Sequence, residues 1–103
     1  MITNAIHAAN TEHEVFFLLT TYVEAARASG RFHFLSETVT PLPLNGISEV
    51  RTHFTNLLIE LDAASRSLDD YTRDVLHEAL HIYGVGLEQM TRLERRQLAR
   101  LAA

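Results

Sequence analysis

The feature that most constrains the fold is the apolar periodicity of residues 68–87. When each residue is placed at 100° around a helix axis, the large apolar side chains fall on one stripe and most charged and imidazole side chains fall on the opposite face. The stripe comprises Leu68, Tyr71, Val75, Ala79, Ile82 and Tyr83, with Leu76 at its edge. The polar face comprises Asp70, Asp74, His77 and His81, flanked by Glu78. This pattern predicts an amphipathic helix that buries one side.

The same periodicity recurs along the chain, so we predict helices near residues 12–29, 48–65, 69–83 and 87–101. The first begins at a capping box, Thr11 to Glu14, and stops at Gly30, a residue suited to the left-handed conformation that ends many helices. The link between the second and third helices is short, which favours antiparallel neighbours. The sequence therefore predicts an all-α fold, a small antiparallel bundle of three to four helices.

Two segments lack this periodicity. Pro41 and Pro43 interrupt residues 31–46, for which we predict one long Pro-containing loop that is held in place by its own apolar side chains. The first ten residues have only Ile2 and Ile6 as sizeable apolar side chains, so we expect a flexible or loosely docked arm with at most a frayed turn. With 103 residues, the whole chain is expected to be a single helical domain.

The centres of the apolar stripes predict the core. We expect the following residues to be buried in it: Phe16, Leu19, Val23, Phe54, Leu57, Leu61, Val75, Ala79 and Ile82. Phe17 and Ile59 lie on the opposite faces of their helices and are expected to be exposed.

Gly84 and Gly86 interrupt the apolar period after the third helix. Each glycine costs about 1 kcal/mol relative to alanine within a helix, so we favour a break here, with the last helix folded back over the first two. The alternative is one continuous helix from residue 69 to residue 101, about 50 Å long. The projecting end of such a rod would need a second chain to cover its apolar stripe.

One motif could carry chemistry. His77-Glu78-Ala79-Leu80-His81 has the form H-E-x-x-H, in which two imidazoles one helical turn apart can bind zinc while the glutamate activates the metal-bound water. In this respect the segment resembles the zincin metallopeptidases, and Gly84 extends the likeness to the metzincin pattern. The resemblance implies His77 and His81 as zinc ligands and Glu78 as general base.

The third metal ligand is missing from the motif. Leu87 stands where the metzincin pattern has its third histidine, so a ligand would have to come from Glu88, His53, His33 or an aspartate. The simpler interpretation, which we favour, is a polar helix face on which acidic and imidazole side chains are solvated. The four histidines outside the motif are expected to be ordinary surface or edge residues: His7, His13, His33 and His53.

Composition narrows the class of partner. The net charge of −4 opposes binding to nucleic acid and to anionic membranes. The chain has no cysteine and no apolar run of membrane-spanning length, and we expect a cytoplasmic protein. All nine cationic residues are arginine, which we attribute to a GC-rich, bacterial genome.

The last predicted helix combines an apolar stripe with a basic face. Its simplest interpretation is a bundle helix whose arginines are solvated, but such a helix can also bind a protein partner or associate with a second copy. The candidate partner-binding residues are Leu87, Met90, Leu93, Arg92 and Arg96. We therefore expect a non-enzymatic protein-interaction or regulatory module without a cofactor. The alternative is a metal-binding protein or zinc-dependent hydrolase that uses the His77-Glu78-x-x-His81 helix.

Overall fold

Four helices make up the regular structure in the described parts of the chain. The computed structural model describes residues 1–31, 46–64 and 69–102. The helices are α1 (Ile2–Ala8), α2 (Glu12–Ala28), α3 (Ile47–Ala64) and α4 (Asp70–Ala102), and the described ranges contain no strand. The prediction of an all-α bundle is thereby confirmed. The Pro-containing loop and the link between α3 and α4 lie outside the described residues.

Local signals set both ends of α2. The Thr11 hydroxyl accepts a hydrogen bond from the amide of Glu14 (3.1 Å), and the Glu14 carboxylate accepts one from the amide of Asn10 (2.9 Å). At the other end Gly30 adopts a φ of 78°, and this turn allows the Arg31 amide to donate a hydrogen bond to the Ala26 carbonyl (2.9 Å). The predicted cap and the predicted left-handed stop are both present.

The central element is α4, which contacts each of the other three helices, while α3 has close backbone contacts with α4 alone among the described helices. Leu19 of α2 faces Gly86, and Tyr22 meets Glu78, so α2 runs antiparallel to α4. The 33 residues of α4 correspond to about 50 Å of helix, and the longest dimension of the structure is 52 Å. The other helices therefore pack along a single rod.

The predicted break at Gly84 to Gly86 is wrong, because α4 is continuous through both glycines. Neither has a positive φ. A Cβ atom at Gly86 would lie 2.9 Å from Leu19 Cδ1, whereas one at Gly84 would lie 3.6 Å from Phe54 Cε2, an ordinary contact. Gly86 thus gives Leu19 of α2 room against α4, and burial of Leu19 offsets part of the cost of a glycine within a helix.

The first ten residues also differ from the prediction. They are not limited to a frayed turn, because Ile2–Ala8 forms α1, which contacts both α2 and α4. Ile6 is fully buried, and the Gln89 side-chain amide donates a hydrogen bond to the Ala9 carbonyl (2.9 Å). Tertiary contacts therefore fix a segment whose own apolar content is too low to signal a helix.

The core largely follows the predicted stripes. Among the predicted core residues, the following are buried: Leu19, Val23, Leu57, Val75, Ala79 and Ile82. Phe16, Phe54 and Leu61 are partly buried and pack against that core. Phe17 and Ile59 are exposed as predicted, but Tyr71, which was placed on the buried stripe of α4, is 60% exposed.

His53 is not a surface residue. It is 2% exposed, and its ring stacks on Tyr83 of α4 with 5.6 Å between the ring centroids and 18° between the ring planes. The Tyr83 hydroxyl lies 3.5 Å from His53 Nδ1. Burial raises the pKa of the Tyr83 hydroxyl well above its usual range.

Candidate functional site

His77 and His81 lie one turn apart on the exposed face of α4, as their spacing predicts. A metal ion held by two imidazoles needs further protein donors for a stable site. Among the described residues, no group of three or more His, Cys, Asp or Glu side chains is placed to hold a metal ion. Of the third ligands considered above, Glu88 binds Arg92, His53 is buried, and His33 lies outside the described residues.

Glu78 is turned towards the end of α2. Its Oε2 atom accepts a hydrogen bond from Arg31 Nη2 at 2.7 Å, and its Oε1 atom accepts one from the Tyr22 hydroxyl at 3.3 Å. The left-handed Gly30 turn directs the chain so that Arg31 reaches this carboxylate. Both oxygens of Glu78 are therefore engaged by α2 and the residue that follows its turn.

Electrostatics are consistent with this three-residue contact. Burial raises the pKa of the Tyr22 hydroxyl well above its usual range, and the negative charge of Glu78 raises it further. The hydrogen bond to Glu78 likewise raises the pKa of Arg31. Tyr22 and Arg31 are the donors of this contact, and Glu78 is their acceptor.

We expect the Arg31–Glu78 pair to contribute little stability, because both side chains are partly exposed and the pair is screened by water. Arg31→Gln, Glu78→Gln and the double variant should give a coupling free energy below about 1 kcal/mol in urea unfolding. Tyr22→Phe is the matched control for the weaker contact to Glu78. A coupling well above that range would mean that the carboxylate is more strongly constrained than its exposure indicates.

The C-terminal end of α4 is the other candidate site. Residues 94–102, here called the α4 extension, are all exposed. Its two leucines, Leu98 and Leu101, are 58% and 77% exposed. The apolar stripe of α4 therefore continues beyond the part that the other described helices bury.

The predicted partner-binding residues differ in how far they are exposed to solvent. Met90 is fully buried in the same core as Ile6 of α1, so it cannot contact a partner on the surface. Leu87 and Leu93 are partly buried against the same core. Arg92 and Arg96 are exposed, and Arg92 binds Glu88 at 2.6 Å.

A groove of about 600 Å³ lies where the α4 extension passes the start of α2. It is lined by Asn10, Thr11, Glu12, Leu93, Glu94, Arg96, Gln97 and Arg100. The sequence pattern indicated Leu93 and Arg96 but none of the other lining residues. The groove depends on α1, because the turn after that helix places Asn10 and Thr11 beside α4.

None of the helices in the described ranges has the length and apolar character that a membrane span requires. No protein-family model matches the sequence, and no curated protein or solved structure is significantly similar to it.

Proposed function

We propose that this protein is a non-enzymatic protein-interaction module whose partner-binding surface is the α4 extension. One observation carries the proposal: α4 continues past the bundle as a helix whose two leucines are exposed. Of the five partner-binding residues predicted from the sequence, the proposal keeps Leu93 and Arg96, which line the adjoining groove, and replaces Met90 with Leu98 and Leu101.

The energetics of docking favour such a surface. Full burial of a leucine side chain contributes about 1.5–3 kcal/mol, so Leu98 and Leu101 together can supply a useful part of a binding free energy. Nine isolated residues would not form a stable helix in water, but here the rest of α4 already provides the helical nucleus. The extension is thereby preorganised, which lowers the entropic cost of binding.

No observation favours the hydrolase alternative, so we do not propose it. Glu78 is bound by Arg31 and Tyr22, and the described residues bring no third donor to His77 and His81.

The proposal can be tested by photo-cross-linking in the organism that encodes the protein. A photoreactive phenylalanine derivative is placed at Leu101, and in a separate variant at Tyr71, which is exposed to a comparable degree at the opposite end of α4. We expect a discrete cross-linked product from position 101 and none of that size from position 71. Leu98→Asp in the position-101 variant should abolish the product, because the substitution places a charge in the apolar contact.

Two results would contradict the proposed function. One is the absence of any discrete product from position 101. The other is an identical product from both positions, which would indicate contact without a specific surface. Sedimentation of the purified protein shows whether the captured partner is a second copy of the chain.

A further inference from the structure

The α4 extension and the residues just before it carry excess positive charge. Residues 88–102 contain four arginines and two glutamates, and the Arg92–Glu88 pair neutralises one charge of each sign. Arg95, Arg96 and Arg100 are exposed and form no ion pair with another described residue. Three cationic side chains therefore remain available next to the exposed leucines.

Two of these arginines point towards one region. Arg96 and Arg100 are one turn apart and both line the groove, whereas Arg95 is not part of its lining. In helix projection Leu93, Arg96, Arg100 and Leu101 fall within an arc of about 140°, which one partner helix and its flanking side chains can cover. The groove and Leu101 thus form one composite surface, and Arg96 and Arg100 lie along its edge.

This charge distribution argues against pairing of two copies through their extensions. Side-by-side extensions would bring the excess arginines of both chains together, and like charges across an interface oppose association. An apolar stripe with a cationic edge instead complements an apolar stripe with an acidic edge.

We propose that the partner is an acidic amphipathic helix of another protein, whose carboxylates enter the groove to pair with Arg96 and Arg100 while its apolar side chains cover Leu101. This inference rests on the proposed function and adds the chemistry of the partner. Glu12 and Glu94 also line the groove, and neither lies within 4.0 Å of an arginine nitrogen there. Their negative charges oppose an acidic ligand. Removing one of them is therefore expected to strengthen binding, whereas removing a groove arginine is expected to weaken it.

The test uses two synthetic helical peptides of about 20 residues that share a leucine stripe and differ only in having glutamate or lysine along its edges. Binding to the full-length protein is measured by fluorescence anisotropy at low ionic strength. We expect the glutamate peptide to bind at least about tenfold more tightly than the lysine peptide. The Arg96→Gln/Arg100→Gln variant should lose about tenfold in affinity for it, corresponding to the loss of two charge pairs.

Matched variants separate the groove from general charge attraction. Arg95→Gln removes the same charge from the same helix outside the groove and should change affinity by less than about twofold, whereas Glu94→Gln should increase it. Equal losses of affinity for Arg95→Gln and for Arg96→Gln or Arg100→Gln made singly would overturn the proposal. So would equal affinities for the two peptides, or no detectable binding of the glutamate peptide.

Other outcomes identify a different occupant. Tighter binding to vesicles of anionic phospholipid than to the glutamate peptide would overturn the acidic-helix proposal in favour of a membrane surface. A concentration-dependent dimer that Leu101→Asp abolishes would overturn it in favour of a second copy, while leaving the interaction role intact. Failure of the peptide test together with a specific cross-link at position 101 would reject only the partner chemistry, whereas loss of the cross-link would reject the proposed function itself.

Discussion

Replacing Ile6 with alanine is expected to lower the free energy of unfolding by about 2–5 kcal/mol, the range for truncation of a fully buried isoleucine. Ile6 is fully buried in the core that also includes Met90. The physical reason is the loss of buried apolar contacts together with the cavity left where α1 packs against α4. Urea unfolding followed by circular dichroism measures the change.

His7→Ala is the matched control, because His7 is the next residue of α1 and is exposed. It should change stability by less than about 0.5 kcal/mol. If Ile6→Ala were equally mild, the first ten residues would behave as a loosely docked arm, and the packing of α1 against the core would be contradicted.

Alanine substitutions at the two glycines of α4 are expected to have unequal effects on stability. Gly84→Ala should stabilise the protein by up to about 1 kcal/mol, since alanine is the better helix former and the new Cβ would make an ordinary contact with Phe54. Gly86→Ala gains the same helix propensity but forces Leu19 to move within a packed core. The two variants should therefore differ by about 1–3 kcal/mol, the usual cost of overpacking.

The propensity gain cancels in this comparison, so the difference reports the contact between α2 and α4. Leu19→Val should interact non-additively with Gly86→Ala and additively with Gly84→Ala. Destabilisation by Gly84→Ala would instead show that this glycine is needed for a break in the helix.

The sequence predicts those elements whose signals are local. Thr11 and Gly30 mark the ends of α2, and the apolar period identifies most of the core. The sequence does not predict α1, because the features that hold this helix in place involve residues about 80 positions away. These features are the burial of Ile6 and the hydrogen bond from Gln89 to Ala9.

The prediction of a helix break at the two glycines fails for a related reason. Helix propensity counts a local cost of about 1 kcal/mol for each glycine, whereas the space that Gly86 leaves for Leu19 is a tertiary property. A glycine that admits a large side chain and a glycine that ends a helix look alike in a single sequence.

The candidate site is predictable only in part. Spacing places His77 and His81 together on one exposed face, but the engagement of Glu78 by Arg31 joins residues 47 positions apart. Leu93 and Arg96 follow from the amphipathic pattern, whereas Asn10 and Thr11 reach the groove only because α1 packs back onto α4. No local sequence signal marks Arg100 as a groove residue, so its position in the groove is seen only once the fold is known.

The interaction proposal depends on the continuity of α4, since a break at the glycines would allow the apolar stripe of the extension to fold back onto the bundle. Because the protein has no cysteine, two cysteines can be introduced and each labelled with a spin label without side reactions. The positions are Asp74 and Arg95, two exposed residues on either side of the glycines. Pulsed electron resonance measures the distance between them. A continuous helix predicts a single narrow distribution centred near about 32 Å, the rise over the intervening residues. A distribution centred below about 22 Å, the separation expected for a right-angle bend at the glycines, would contradict it.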